Sequence, residues 1–352
     1  MTRASSAAEQ LLKSLEGPLE VILGAPYGER AISCLKQSRL AAAVCVLLVV
    51  LLTLAAGAVA SGSSAKKKPD SSDPVHYDVS PPLRDMTPAT PPPADPKKDK
   101  EPKKGLPVPG QSSVPDPVVQ TTPGADAAPP VGTGFEGVGQ GFSGPNGSFL
   151  VTSAPPDPNA TVGPNHIVEI VNQSFAVFNK SGTPTYGPVA TNTLWSGFGG
   201  GCESNDDGDG TVVYDKLADR WIIQQFSVST TPYLECVAVS TSGDPTGSYA
   251  RYSFSYSDFP DYPKVGVWPD AYYVTFNMFR NNSFRGPQVC AWDRGRMLQG
   301  LSATQQCVQL STAYGGLLPA DLDGSTPPPF GSPNDVVSFG TNSLLLWRFH
   351  VD

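Results

Sequence analysis

Four stretches of this chain share one design: an apolar strand, a tight polar turn and a second strand that carries an aromatic residue. They are HIVEIVNQSFAVF from His166, TVVYDKLADRWIIQQF from Thr211, KVGVWPDAYYVTF from Lys264 and NDVVSFGTNSLLLWRF from Asn334. Short runs of β-branched and aromatic residues bounded by Gly, Pro, Asn and Asp form strands, because branched side chains fit a pleated surface and the bounding residues close turns. The hairpins start 45, 53 and 70 residues apart, with further strand-like runs (LECVAVS, ARYSFSY, QVCAWD, QCVQL) between them. A hairpin plus one or two strands per repeat gives a blade of about four strands. The pattern therefore predicts an all-β domain of propeller-like repeats of antiparallel hairpins. A β-sandwich with long connections is the alternative, but it gives no reason for one hairpin design to recur. Because the chain stops at Asp352 just after a strand, the array is expected to be incomplete unless a strand within residues 134–151 closes it. One short helix is expected in a loop at Asp293–Leu298 (DRGRML).

Composition sets the boundaries of this domain. Residues 134–352 carry the aromatic and β-branched runs, whereas residues 61–133 are rich in Pro, Ser, Lys and Asp (KKKPDSSDP, PATPPPADPKKDKEPKK) and nearly devoid of aromatics. Such a segment buries too little apolar surface to offset its ordering entropy, so it reads as a disordered, Pro-rich linker acting as a semi-rigid stalk. Leu40 to Ala60 (LAAAVCVLLVVLLTLAAGAVA) is an uncharged apolar run of 21 residues, the length of a transmembrane helix. Lys36 and Arg39 precede it and favour an inside N-terminus, although Lys66, Lys67 and Lys68 follow soon after. Ala58-Val59-Ala60 has the small-x-small form of a signal-peptidase site, so a cleaved signal competes with a retained anchor. Residues 1–39 are long for a signal n-region and lean towards the anchor, with that segment cytoplasmic. Within it, Leu11, Leu12, Leu15 and Leu19 stand at near-helical spacing, broken by Gly17-Pro18. Under either reading the C-terminal domain is extracytoplasmic: membrane-tethered through residues 40–60, or secreted if cleaved after Ala60.

The cysteines agree with export. Cys202, Cys236, Cys290 and Cys307 form an even set in the β domain, as a disulfide-permissive compartment allows. Three pairings exist. Cys202–Cys236 and Cys290–Cys307 are favoured because each lies within one repeat. The same four lack the CxxC spacing of a zinc site. A net charge of −8, with no basic face, argues against nucleic acid as a partner.

Candidate sites are few. Asn205, Asp207 and Asp209 place oxygen side chains at alternate positions before Gly210, as a calcium loop does, but the twelfth position holds Lys216 in place of a bidentate Glu. A plain Asp/Gly turn opening the Thr211 strand explains the same residues; Asp321-Leu322-Asp323-Gly324 is a weaker echo, and no other cofactor is indicated. Sialidase-type chemistry needs an arginine cluster and a tyrosine, for which Arg220, Arg251, Arg280 and Tyr214 are candidates without a specifying order. A serine triad is disfavoured: only His166 and His350 lie in the domain, and there is no GxSxG elbow. Trp195, Trp221, Trp268, Trp292 and Trp347 recur as blade packing recurs, with a sugar-binding rim as the alternative. Asn146, Asn159, Asn172, Asn179 and Asn281 stand in acceptor sequons.

The runs PPDPNATVGPNHIVEIVNQSFAVFNKSG, LWSGFGGGCESNDDGDGTVVYDKLADRWIIQQF, DYPKVGVWPDAYYVTFN and GGLLPADLDGSTPPP resemble, over about residues 150–352, a widespread set of exported, mostly bacterial proteins with sialidase-like propeller folds. The resemblance implies the fold. It brings no activity, because fold alone assigns none. Relatives carry Asp-Pro where Asp209-Gly210 stands here and continue beyond the point matching Asp352. The expected function is a non-catalytic surface module binding glycan or protein through a propeller face. The alternatives are a glycosidase-type enzyme and a structural envelope component.

Overall fold

The computed structural model describes residues 68–89, 122, 134–324 and 326–352. The chain divides into two compact units, Met1–Lys66 and Lys67–Asp352, and the second carries everything below. The cytoplasmic segment 1–39, the apolar run 40–60 and most of the linker lie outside the described residues. Among the described residues no helix is long and apolar enough to cross a membrane.

The strands, in chain order, are β1 (Asp70–Ser72), β2 (His76–Val79), β3 (Ser143–Gly144), β4 (Gly147–Ser148), β5 (Asn159–Val162), β6 (His166–Val171), β7 (Ser174–Asn179) and β8 (Pro184–Ala190). There follow β9 (Thr211–Asp215), β10 (Arg220–Ser227), β11 (Tyr233–Ser240), β12 (Tyr249–Tyr256), β13 (Phe259–Val267), β14 (Tyr272–Arg280), β15 (Ser283–Trp292), β16 (Gln305–Gln309), β17 (Leu318–Pro319), β18 (Asn334–Gly340) and β19 (Ser343–Phe349). Each run of four, β5–β8, β9–β12 and β13–β16, is an antiparallel meander in sequence order, and β17–β19 is a three-stranded one. The first strands are neighbours: β9 touches both β5 and β13, and β13 touches β17. Meanders packed in series with their first strands together make the domain all-β and propeller-like.

Burial explains why the hairpins read as strands without alternation. In β10, Trp221 and Ile223 pack towards the first blade with Val168 and Phe175, while Ile222 packs towards the third with Tyr272 and Val274. A sheet covered on both faces needs apolar side chains at successive positions. The fourth blade is covered on one face. Val336 packs with Val289 and Leu317, whereas Phe339, Leu344 and Leu346 on its other face are exposed. Close approach between blades also sets residue choice: a Cβ at Gly266 on β13 would collide with the Ala320 carbonyl oxygen beside the fourth blade.

The four similar hairpins all form, but not in one phase. Those from Thr211 and Lys264 are strands one and two of their blades, and those from His166 and Asn334 are strands two and three. Their uneven spacing reflects this offset. The segment 134–151 does not close the array; β3 and β4 pair with each other, and Val138, Phe142 and Phe149 cover the outer face of the first blade against Ala176 and Phe178. The expected short helix is present as α2 (Arg294–Met297), capped by Asp293, whose Oδ1 accepts from Arg296 N–H at 3.0 Å; α1 (Gly200–Ser204) was not anticipated.

The linker reading is corrected over residues 68–89. β1 adds to β16 at the edge of the third blade, and β2 adds to β12 at the edge of the second. Tyr77 stacks on Tyr252, Leu83 is fully buried, and Ala89 N–H donates to Thr193 Oγ1 at 3.0 Å. Averaged composition hid a short HYDV strand and an anchoring leucine inside a proline-rich tract. The segment is thus a strap on the blades over this stretch.

Both favoured disulfides form. Cys202 on α1 pairs with Cys236 on β11, and Cys290 pairs with Cys307, its register partner across β15 and β16.

Candidate functional site

Three blades bring an aspartate to the point where their first strand begins. Asp157 stands two residues before β5, Asp209 two before β9, and Asp261 three before Lys264, where β13 regains its pairing after a bulge. Asp157, Asp209 and Tyr262 all have left-handed backbones, with φ of 40°, 49° and 58°. Such conformations in non-glycine residues are uncommon and mark positions the surroundings over-determine. Asn172, at the turn between β6 and β7, ties two of these positions together: its Nδ2 donates to Asp157 Oδ2 at 2.8 Å, and its Oδ1 accepts from Asp209 N–H at 2.8 Å. Asn277 on β14 repeats the device towards the fourth blade by accepting from Gly316 N–H at 3.0 Å.

Lys264 is within electrostatic reach of the three carboxylates. Burial lowers its pKa, and the charges of Asp209, Asp157 and Asp261 oppose that shift. Its ammonium sits 3.8 Å from the centre of the Tyr262 ring, a cation–π contact. The mouth therefore combines three carboxylates, one ammonium and one partly exposed aromatic ring.

Two further acids are buried. Glu235 on β11 faces Phe226 and Phe254 across its neighbours and is 0% exposed, with neither carboxylate oxygen hydrogen-bonded. Burial pushes its carboxyl well above the usual range, and the Asp209 charge adds to the shift. Asp206 is pushed up chiefly by burial as well. A folded-state carboxyl raised above its unfolded value favours the fold at low pH, and that contribution is lost as pH rises through the folded pKa. Glu235→Gln is therefore expected to raise stability at neutral pH by about 1–2 kcal/mol and to flatten the loss between acid and neutral pH. Denaturant melts of both chains across that range check it; equal pH slopes would be the contrary result.

The residues singled out for calcium are bound by their own chain. Asn205 Nδ2 donates to Ser227 Oγ at 2.8 Å and Thr230 Oγ1 at 2.9 Å, and Asp207 accepts from Val228 N–H at 2.7 Å and from Ser229 N–H at 2.6 Å. They staple the loop before β9 to the end of β10. Among the described residues no group of three or more His, Cys, Asp or Glu is placed to hold a metal.

Of the arginine and tyrosine set, Tyr214 and Arg220 meet at Asp219, and Arg251 and Arg280 are held by other partners. Arg251 is 2% exposed and chelates Asp78; Arg220 Nη1 donates to the Ala218 and Asp219 carbonyls; Arg280 pairs with Asp258; and the Tyr214 hydroxyl donates to Asp219. His350 Nδ1 lies 3.0 Å from Asp270 Oδ2, away from His166 at the start of β6. Trp195, Trp221 and Trp292 are fully buried, so they pack blades and line no rim. Asn159 and Asn172 are committed to bonds that join blades one and two, Asn159 Oδ1 accepting from Val212 N–H at 2.8 Å. Sequence reading missed Asp157, Asp261 and Lys264. The available signal was an aspartate just ahead of β5 and of β9 and another in the first residues of β13.

No family model matches the chain, and no curated protein matches it. Among solved structures it is similar to an exo-beta-1,3-galactanase from Phanerochaete chrysosporium, determined with galactose, at 11% identity and a TM-score of 0.35. The match covers 62% of this chain and 53% of that one, so the chain spans about half the length of that neighbour. The propeller-like assignment rests on the order, pairing and packing of the chain's own sheets.

Proposed function

We propose that the β domain is an extracytoplasmic, non-catalytic recognition module that binds a glycan at the mouth formed by Asp157, Asp209, Asp261 and Lys264. One observation carries the reading: three successive blades deliver a carboxylate to the start of their inner strands, around a single ammonium. Carboxylates and ammonium groups accept from and donate to sugar hydroxyls, and a ring beside them suits a sugar's apolar face. Export is supported by two disulfides and by the apolar run 40–60, which serves as membrane tether. A protein ligand is less well served, because three of the five indoles, the residues that anchor such interfaces, are fully buried and the other two are partly so.

The second reading is a glycoside hydrolase, which the same carboxylates favour, since that chemistry uses paired acids. Against it, two of the four carboxyls whose pKa burial raises, Glu235 and Asp206, are 0% and 7% exposed and out of reach of a glycosidic oxygen, while the other two, Glu169 and Asp321, accept from the backbone N–H of Val138 and Val267, both at 2.7 Å. The test is a glycan array probed with the full-length chain and with Asp209→Asn. The variant is expected to lose about tenfold in affinity for the glycans bound, the effect of removing one charge-assisted bond. Retained binding by Asp209→Asn would move the site elsewhere. Release of reducing sugar from a bound glycan would select the hydrolase.

A further inference from the structure

Beside this mouth, where the third and fourth blades meet, lies a cavity of about 860 Å³ lined by Asp261, Tyr262, Asn277, Tyr314, Phe339 and Leu344 among others. Its volume falls within the range of small-molecule sites. Its lining is graded. Asp261 and Asn277 face each other across β13 and β14 and are 8% and 5% exposed, whereas Phe339 and Leu344, opposite each other across β18 and β19, are 72% and 68% exposed. Tyr262, 44% exposed and held at φ 58°, belongs to both the cavity lining and the mouth.

We propose that this cavity binds a neutral glycoside with an apolar aglycone, the sugar directed towards Asp261, Asn277 and Tyr262 and the aglycone lying on Phe339 and Leu344. The inference rests on the glycan reading above and names the ligand class and the site of its non-sugar part. Charge selects the head group. Asp261 in the lining repels an anion, while a cation on Tyr262 meets the ammonium of Lys264 already 3.8 Å from that ring. An uncharged, hydroxylated head is what remains, and it suits polar groups that are buried and an aromatic ring that is not. The exposed apolar pair at the other end gains by covering surface that water now wets.

The test uses the full-length chain in lipid nanodiscs, with empty nanodiscs as reference, and the hexyl and methyl β-glycosides of glucose, galactose and mannose as probes. At least one hexyl glycoside is expected to bind about tenfold more tightly than its methyl counterpart, consistent with the area a short alkyl chain covers. Tyr262→Ala is expected to weaken both. Phe339→Ser/Leu344→Ser, at exposed positions that leave the fold intact, is expected to abolish the hexyl advantage alone. Equal binding of hexyl and methyl probes, an unchanged advantage in the double variant, or equal competition by hexyl sulfate or hexyltrimethylammonium would each overturn the proposal. Array glycans lost by Asp209→Asn but kept by Tyr262→Ala and the double variant would leave the glycan reading standing and remove this cavity from it.

Discussion

Replacing Arg251 by alanine is expected to cost about 3–5 kcal/mol of domain stability, the loss typical of breaking a buried, multiply bonded ion pair. The guanidinium is 2% exposed and holds four acceptors: Asp78 Oδ1 at 2.8 Å and Oδ2 at 2.6 Å, the Leu194 carbonyl at 3.1 Å and the Ser196 carbonyl at 2.9 Å. Those acceptors come from the strap and from the loop that follows β8, while Arg251 itself lies on β12. One side chain therefore joins three separate segments. Truncation would strand a carboxylate and two carbonyls and would open a void beside Phe198, whose ring centre is 5.1 Å from the guanidinium carbon. Arg251→Lys is expected to rescue little, because an ammonium cannot reproduce the planar fork that meets both Asp78 oxygens. Asp78→Asn should cost less, since its side chain is 29% exposed and water replaces part of what it loses. For a domain of this size the Arg251→Ala loss corresponds to a fall of about 10 °C in thermal midpoint. Limited proteolysis gives an independent readout. Because β2 pairs with β12 at Arg251 itself, the strap should be cut within residues 68–89 before the blades unfold. A midpoint within a degree of the parent, with the strap still protected, would show that backbone pairing alone holds it.

The strap also marks what the sequence made legible and what it did not. Strands buried on both faces, such as RWIIQQFS, announce themselves by apolar residues at successive positions, and so do YLECVAVS and YYVTFNMF. Edge strands give no such signal. All three residues of β1 and three of the four in β2 are exposed, so their order comes from backbone pairing to a sheet already built, which no local pattern records. The phase of the hairpins was hidden for a related reason: a hairpin of strands one and two looks like one of strands two and three until the neighbouring blade is placed. The disulfides were readable because locality in sequence coincided with locality in the blades. The mouth was half readable. Asp209 stood out in an Asp/Gly-rich loop and suggested a cation. The matching positions of Asp157 and Asp261 appear only once β5, β9 and β13 are recognised as equivalent, and Lys264 then stands where a metal reading would want a ligand.

Removing the Cys202–Cys236 bridge is expected to cost about 4 kcal/mol, and removing Cys290–Cys307 about 3 kcal/mol, on the chain-entropy account in which the longer closed loop stabilises more. The separations are 34 and 17 residues. Cys→Ala pairs measured by thermal melts test the order, and equal losses would favour local packing over loop closure as the source. The two bridges should also differ in function, because they enclose different things. The loop closed by Cys202–Cys236 contains the Asn205–Gly210 turn, Asp209 and the first two strands of the second blade, so its removal loosens one of the three carboxylates at the mouth. The Cys290–Cys307 bridge joins the last two strands of the third blade, already register partners across β15 and β16, and no mouth residue lies between its ends. Glycan affinity is therefore expected to fall in Cys202→Ala/Cys236→Ala at temperatures well below its melting point, and to stay at the parent value in Cys290→Ala/Cys307→Ala. If the second pair weakened binding as much as the first, the ligand would be recognised by the outer strands of the blades, and the aspartates would be left with the inter-blade bonds that Asn172 already makes.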